Sequence, residues 1–250
     1  KGAFNDAYVD ADGRVRGDTQ CSYVLALAYD LLGEDQRERA AEHLVAAIAD
    51  RDYHLSTGFV GTKDLMLVLS KIGRNDLAYR LIHNDTFPSW GFSIKHGATS
   101  IWERWDGWTP EQGFQDPGMN SFAHYSFGAV YQWMAETIGG IRRLKPGYQQ
   151  IEIAPHPGEK LTWAKVDYES IQGCISSHWK KDNGRFQLDV AVPCNTSAVV
   201  RLPAASEKLV FLDEKPASES TDVDQLQIQN GEVLIQIGSG RYSFAVETDK

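Results

Sequence analysis

The stretch Tyr23-Val24-Leu25-Ala26-Leu27-Ala28-Tyr29, followed by Asp30-Leu31-Leu32-Gly33, decides the fold. It is apolar on nearly every face, so it predicts a helix buried all round. The next periodic segment differs: Ala41, Leu44, Val45 and Ile48 form a single apolar stripe against Arg37, Glu38 and Glu42, which predicts an outer helix. The alternation then repeats. Leu65-Met66-Leu67-Val68-Leu69 is apolar all round, and Leu77, Ala78, Leu81 and Ile82 form a stripe behind Asn75, a candidate helix cap. Each pair turns at a glycine, Gly33 and Gly73. A further helix, Phe122 to Thr137, reads as inner through Ala123, Phe127, Val130 and Met134. Inner helix followed by outer helix, repeated, is the grammar of an α/α toroid.

After Gly139-Gly140 and Pro146-Gly147 the period changes. Short alternating or β-branched runs follow at Gln149–Ile153, Leu161–Tyr168, Ile171–Lys180, Arg185–Val192, Ala198–Leu202, Leu209–Leu212, Leu226–Gln229, Val233–Ile237 and Arg241–Val246. Asp182-Asn183-Gly184 and Asn230-Gly231 carry hairpin-turn chemistry, because asparagine and glycine accept positive φ. The expected organisation is a partial (α/α)6 toroid over residues 1–145, followed by an antiparallel β-sandwich over 146–250. A toroid of this kind closes with about six helix pairs, and far fewer are visible here. An open arc would expose apolar faces, so the N-terminal part of the barrel, on the same polypeptide, is expected to be a missing partner.

Composition narrows the function classes. Hydrophobic content of 42% with 24% charged residues is globular, and no apolar run of about 18 residues suggests a membrane span. With 25 basic against 34 acidic residues the net charge is −9, and no Lys/Arg cluster could follow a phosphate backbone. Neither nucleic acid nor membrane is expected as a partner. Cys21, Cys174 and Cys194 lack metal-ligand spacing and read as buried free thiols; no metal or cofactor is expected. The opening Lys-Gly-Ala-Phe carries no apolar signal segment, so the chain reads as a processed or excised piece.

Chemistry concentrates between Phe87 and Asn120, where helical periodicity is weak. Four of the 7 tryptophans fall there, Trp90, Trp102, Trp105 and Trp108, with His96, Glu103, Arg104, Asp106, Glu111 and Asp116. Sugars present an apolar C–H face and a ring of hydroxyls, so a sugar cleft needs flat aromatic surfaces beside carboxylates. The residues alone leave an alternative open, in which the tryptophans only plug a barrel mouth and Glu103 pairs with Arg104.

Four ordered motifs carry a resemblance: Thr57-Gly58-Phe59-Val60-Gly61-Thr62, Pro88-Ser89-Trp90-Gly91-Phe92, Gly97-Ala98-Thr99-Ser100-Ile101-Trp102-Glu103-Arg104-Trp105-Asp106-Gly107 and Met119-Asn120-Ser121-Phe122-Ala123-His124-Tyr125. Together they resemble bacterial α-L-rhamnosidases of glycoside hydrolase family 78. The continuation from Gly139-Gly140-Ile141 through Pro146-Gly147-Tyr148, with Ile151 and Ile153 before Pro155, resembles that family's junction to its C-terminal β-sandwich. The resemblance implies hydrolysis of terminal α-L-rhamnosyl residues with inversion, on a rhamnosylated glycan or glycoside. It implies that Glu103 is the catalytic base and that His124 hydrogen-bonds the rhamnose. Trp102, Trp105 and Trp90 are candidate walls of the sugar site. Arg104 and Asp106 orient Glu103 or each other, and His96 and Asn120 stand further back.

One part of the family pattern is absent. The family's general acid lies upstream in an Asp/Glu/Trp-rich segment, and Asp6, Asp10, Asp12 and Asp18 do not reproduce it; Asp18 reads instead as a helix cap before Thr19-Gln20. The chain is therefore expected to hold the base half of the site and to be inactive alone. Two rivals stay open at this level: a non-catalytic carbohydrate-binding or accessory module, and an α/α-barrel glycosidase of another sugar specificity.

Overall fold

The structure is a computed structural model that describes residues 1–182 and 184–247. Asn183 of the first turn, and 248–250 at the end of the β segment, lie outside the described residues. The chain divides into two compact units, Lys1–Tyr131 and Gln132–Lys250.

The first unit is helical: α1 (Gly2–Tyr8), α2 (Gln20–Ala28), α3 (Glu34–Ala49), α4 (Phe59–Lys71), α5 (Asn75–Ile82) and α6 (Trp90–Lys95). α2 buries Tyr23, Val24, Ala26 and Leu27 and packs on α3 and α4. α4 buries Leu65, Met66, Val68 and Leu69 and packs also on α5. By contrast α3 buries only Ala40, Leu44 and Ile48, at helical spacing along one face. The local starts differ in detail from the sequence reading. Thr19, not Asp18, caps α2: its hydroxyl accepts from the Ser22 N–H at 3.1 Å while Ser22 Oγ accepts from the Thr19 N–H at 3.0 Å. Asp18 sits at φ 45° with its carboxylate taken by the Tyr23 hydroxyl and by Arg14 at 3.1 Å. Asn75 is the first residue inside α5, and its side chain meets Ser70 Oγ at 2.5 Å instead of capping.

A two-residue hairpin follows, β1 (Trp108–Thr109) with β2 (Gly113–Phe114), then α7 (Val130–Trp133), which carries the chain into the second unit. The helix expected from Phe122 begins only at Ser126, as a 3-10 turn that continues through α7 into a π turn at Met134–Ile138. The reason is a competing use of backbone groups. Residues 121–124 instead bond to 101–103, the Glu103 N–H donating to Ser121 O at 2.9 Å and the His124 N–H to Ile101 O at 2.8 Å. Ala123, expected on an inner face, is exposed.

The second unit is built of β3 (Ile141–Arg143), β4 (Gln150–Ile153), β5 (Trp163–Ser170), β6 (Gly173–Asp182), β7 (Arg185–Val192), β8 (Ser197–Leu202), β9 (Val210–Leu212), β10 (Lys215–Pro216), β11 (Gln225–Gln229), β12 (Glu232–Ile237) and β13 (Gly240–Glu247). A six-stranded sheet runs β10-β9-β13-β7-β6-β5 and a five-stranded sheet runs β11-β12-β8-β4-β3. All pairings are antiparallel but one: β4 lies parallel to β8, Gln150 opposite Ser197, which a reading by hairpins could not anticipate. Alternate residues of both sheets, among them Ile175, Trp179, Leu188, Val200, Ile235 and Phe244, form one buried cluster. Asn230 and Gly231 turn β11 into β12 with φ of 54° and 78°, as that pair predicts.

The compact units divide between Tyr131 and Gln132. β3 already pairs with β4, Ile141 opposite Ile153, and the π turn packs on β3. Gly140 permits this entry: a Cβ there would lie 2.2 Å from Pro155 N, and its φ is +75°. The three cysteines are free, but Cys21 is only partly buried and the other two are exposed, Cys174 on the outward alternation of β6 and Cys194 in the turn between β7 and β8. No helix among the described residues is long and apolar enough to cross a membrane.

Candidate active site

The two backbone bonds between residues 101–103 and 121–124 draw two of the sequence motifs together and hold Glu103. Its Oε2 accepts from the Ser121 N–H at 2.8 Å. Among the described residues, no basic side chain lies within 4.0 Å of its carboxylate, and Oε1 accepts no hydrogen bond. The neighbour that could have neutralised it is committed elsewhere: Arg104 forms a two-pronged pair with Asp106, Nε to Oδ1 at 2.9 Å and Nη2 to Oδ2 at 2.8 Å. That pairing, foremost, raises the Arg104 pKa; the charge of Glu103 contributes less. The two residues thus orient each other.

Trp105 forms the flat surface next to Glu103. Its indole N–H donates to Thr57 O at 2.8 Å, and its ring stacks on Phe127 with centroids 3.8 Å apart and planes 6° from parallel. Trp90 meets it edge-on at 5.2 Å and 87°. Glu103, Trp105, Asp106, Thr57 and Phe59 line one cleft of about 580 Å³, closed on another side by Phe87 and Pro88, which are joined by a cis peptide bond. Its size suits a small glycoside.

Not every expected wall residue lines this cleft. Trp90 and Trp102 are buried and line a second cavity of about 300 Å³, which shares Trp105 and Phe127 with the first. Trp90 donates its indole N–H to Phe127 O at 3.0 Å, and Trp102 stands edge-on to Phe122 at 5.3 Å. Both therefore pack behind the cleft wall. His124 is one ring removed from the cleft, tilted against Phe59 at 5.7 Å and stacked on Tyr125 at 5.2 Å. Its Nδ1 accepts from the Ser126 N–H at 3.3 Å, which puts any ring proton on Nε2. Asn120 donates Nδ2–H to Gly107 O at 2.8 Å, holding the loop after Trp105. His96 is exposed between Phe92 and Trp108, at 4.5 and 5.2 Å. Asp116 accepts from Gly118 N at 2.8 Å and caps a turn.

Four cleft residues escape the sequence reading, Arg51, His54, Leu55 and Ser56. They stand on the turn after α3, where Asp52 and Tyr53 adopt φ of 50° and 58°. Neither residue type announces that conformation, so nothing in the sequence pointed to them.

The first unit thus sets the Glu103 carboxylate in one cleft with stacked aromatic rings, the surfaces that a sugar ring needs. Comparison with known proteins makes this specific. Residues 1–138 match the bacterial alpha-L-rhamnosidase 6 hairpin glycosidase domain, and residues 140–215 match the bacterial alpha-L-rhamnosidase C-terminal domain. The chain belongs to the bacterial α-L-rhamnosidase family. It is 44% identical to an alpha-L-rhamnosidase of Streptomyces avermitilis, covering 98% of this chain and 23% of that protein. A crystal structure of the Streptomyces avermitilis alpha-L-rhamnosidase complexed with L-rhamnose superposes with a TM-score of 0.91 at 43% identity, over 98% of this chain and 23% of that one. The alpha-L-rhamnosidase structure from Dictyoglumus thermophilum gives 0.88 at 31% identity, over 99% and 27%. The chain thus spans about a quarter of the length of these relatives.

Proposed function

We propose that this chain carries the general-base half of an α-L-rhamnosidase site that releases terminal α-L-rhamnosyl residues from glycosides with inversion. Its helical unit is the closing part of an (α/α)6 toroid, and its β unit is a sandwich, antiparallel apart from the β4–β8 pair. The proteins it resembles are named alpha-L-rhamnosidase, and one of them binds L-rhamnose. The observation that carries the reading is Glu103, whose carboxylate is fixed by one backbone bond, free of any cation within 4.0 Å among the described residues, and set beside the Trp105 face.

Inversion needs a carboxylate that takes a proton from water as the water attacks the anomeric carbon, and a carboxylic acid about 6.5–9.5 Å away that protonates the leaving oxygen. Glu103 Oε1, with no competing donor, is the atom that accepts that proton. Trp105 supplies the apolar surface for the sugar's C–H face, and His124 acts through Phe59 or through Nε2–H on a rhamnose hydroxyl. The acid partner comes from another part of a longer polypeptide. The reaction requires carboxyl groups and water only.

Proton NMR of the first product formed from an aryl α-L-rhamnoside, by a full-length enzyme carrying this chain, tests the stereochemistry. β-L-rhamnose should appear before mutarotation mixes the anomers. The α anomer appearing first would mean retention and would remove the water-activating role from Glu103.

A further inference from the structure

Glu103 is held from both ends by one residue. Ser121 O accepts from the Glu103 N–H at 2.9 Å, and the Ser121 N–H donates to Glu103 Oε2 at 2.8 Å. The carboxylate therefore goes where Ser121 goes. Ser121 returns to Glu103 only after an excursion that takes in the β1–β2 hairpin and the turn at Pro117–Met119. The two ends of such an excursion meet only at an entropic cost, so their register depends on what closes it.

The closure lies at Gly107. Its carbonyl accepts twice, from the Gln115 N–H at 3.1 Å and from the Asn120 Nδ2–H at 2.8 Å, while its own N–H donates to Arg104 O at 3.3 Å. Asn120 immediately precedes Ser121, so its amide is the last side-chain tie before the residue that holds Glu103. Two features mark the contact as specific. A Cβ at residue 107 would lie 2.7 Å from Asn120 Oδ1 and 3.3 Å from Arg104 O, and Gly107 is not among the glycines of positive φ. Close approach, not backbone conformation, is what requires glycine there. On the other side of the contact, Asn120 Oδ1 is buried and accepts no hydrogen bond among the described residues. A buried acceptor without a donor costs stability, so the amide is poorly suited to a purely stabilising role. What it supplies is the single bond that closes the loop.

Resting on the reading of Glu103 as the base, we infer that Asn120 and Gly107 form a clamp that holds the Ser121 N–H against the Glu103 carboxylate, and that Asn120 is a positioning residue for the attack of water. The amide touches no reacting atom and acts through Ser121. A general base must stand within hydrogen-bond reach of its water, and small misplacements of a reacting group cost large factors in rate. Trp105, by contrast, is anchored on Thr57 O and Phe127, outside the clamp. Loosening the clamp therefore slows the chemical step and spares the aromatic surface on which the sugar rests.

A full-length enzyme carrying this chain tests the clamp with an aryl α-L-rhamnoside, thermal unfolding being recorded alongside. Asn120→Ala should lower kcat about tenfold or more while KM stays within about twofold. Gly107→Ala reaches the same contact without touching Asn120 and should show the same split, and it carries the test if Asn120→Ala does not fold. The double variant should lose little more than the worse single one, because both break one contact. Added to Glu103→Gln, Asn120→Ala should cost nothing further. The inference is overturned if kcat stays within about twofold of the parent in both single variants, if KM rises in place of the fall in kcat, or if Asn120→Ala costs as much in Glu103→Gln as in the parent. Hydrogen exchange, read by mass spectrometry on the peptide that carries Ser121 and His124, separates the clamp from the base reading. It should be faster in both single variants than in the parent, and unchanged exchange overturns the clamp. Near-parent turnover by Glu103→Gln would defeat the base reading and the kinetic consequence with it, while exchange would still decide whether Asn120 holds Ser121.

Discussion

Glu103 and Trp105 are neighbours in sequence yet are fixed by different parts of the chain. The first is tied to Ser121 N at 2.8 Å, the second to Thr57 O at 2.8 Å. The cleft wall is thus a seam between three segments. Trp105→Ala removes the ring that stacks on Phe127 and should raise KM for an aryl rhamnoside by at least about tenfold. Trp105→Phe keeps the ring and loses one hydrogen bond, at a cost of about 1 kcal/mol in stability, with KM within about threefold. Steady-state kinetics of the pair checks the assignment; equal KM values for the Ala and Phe variants would show that the ring is packing alone. At this scale the motif around Glu103 was legible from its own neighbours. What was not legible is who holds whom: the bond from Ser121 to Glu103 arises from chain reversal over residues 107–120, and the local Arg104–Asp106 pair leaves Glu103 without that arginine. Nor was it legible that Trp90 and Trp102 line the neighbouring cavity, which shares Trp105 with the Glu103 cleft, since residue type does not tell which side of a layer a ring occupies.

At the scale of elements, periodicity carried most of the fold. β7 runs Arg185–Val192 as its alternation predicts, and Asn230-Gly231 turns where its chemistry says it should. Elements failed where tertiary pairing outbid local pattern. The apolar spacing from Phe122 is helical, but residues 121–124 spend their backbone groups on residues 101–103, and the helix starts late. β3 was missed because three residues carry too little pattern, although they pair along their whole length with β4. The segment after β4 adds a pH dependence to the β unit. His156 is partly buried, its N–H bonded to Thr137 O at 2.9 Å, and burial, helped by the charge of Arg142, lowers its pKa below the ordinary value. Glu232 and Glu152 act in the opposite, raising sense and contribute less. The folded chain therefore keeps the ring neutral while the unfolded chain takes up a proton as pH falls through about 6.5. Stability contributed at this site is full above that pH and declines below it. Urea unfolding of the β unit should show a lower midpoint at pH 5 than at pH 7.5, and His156→Gln should shrink the difference; an undiminished difference would place the acid sensitivity elsewhere.

For the whole molecule, two compact units of unlike period are joined near Tyr131, and each matches its own rhamnosidase domain. The switch of period at Gly139-Gly140 falls inside the second unit, just after its π turn. The chain belongs to the α-L-rhamnosidase family and spans about a quarter of its relatives' length, and on the proposed reading Glu103 is one of the two carboxyl groups that an inverting hydrolase requires. The central claim is that Glu103 activates water. Its most direct test is kcat for an aryl α-L-rhamnoside, measured for a full-length enzyme carrying this chain and for its Glu103→Gln variant, with thermal unfolding recorded on both. The account predicts a loss of at least about 10²-fold in kcat at unchanged unfolding temperature, because the amide still accepts the Ser121 bond and can take no proton from water. Turnover within a few-fold of the parent would contradict it.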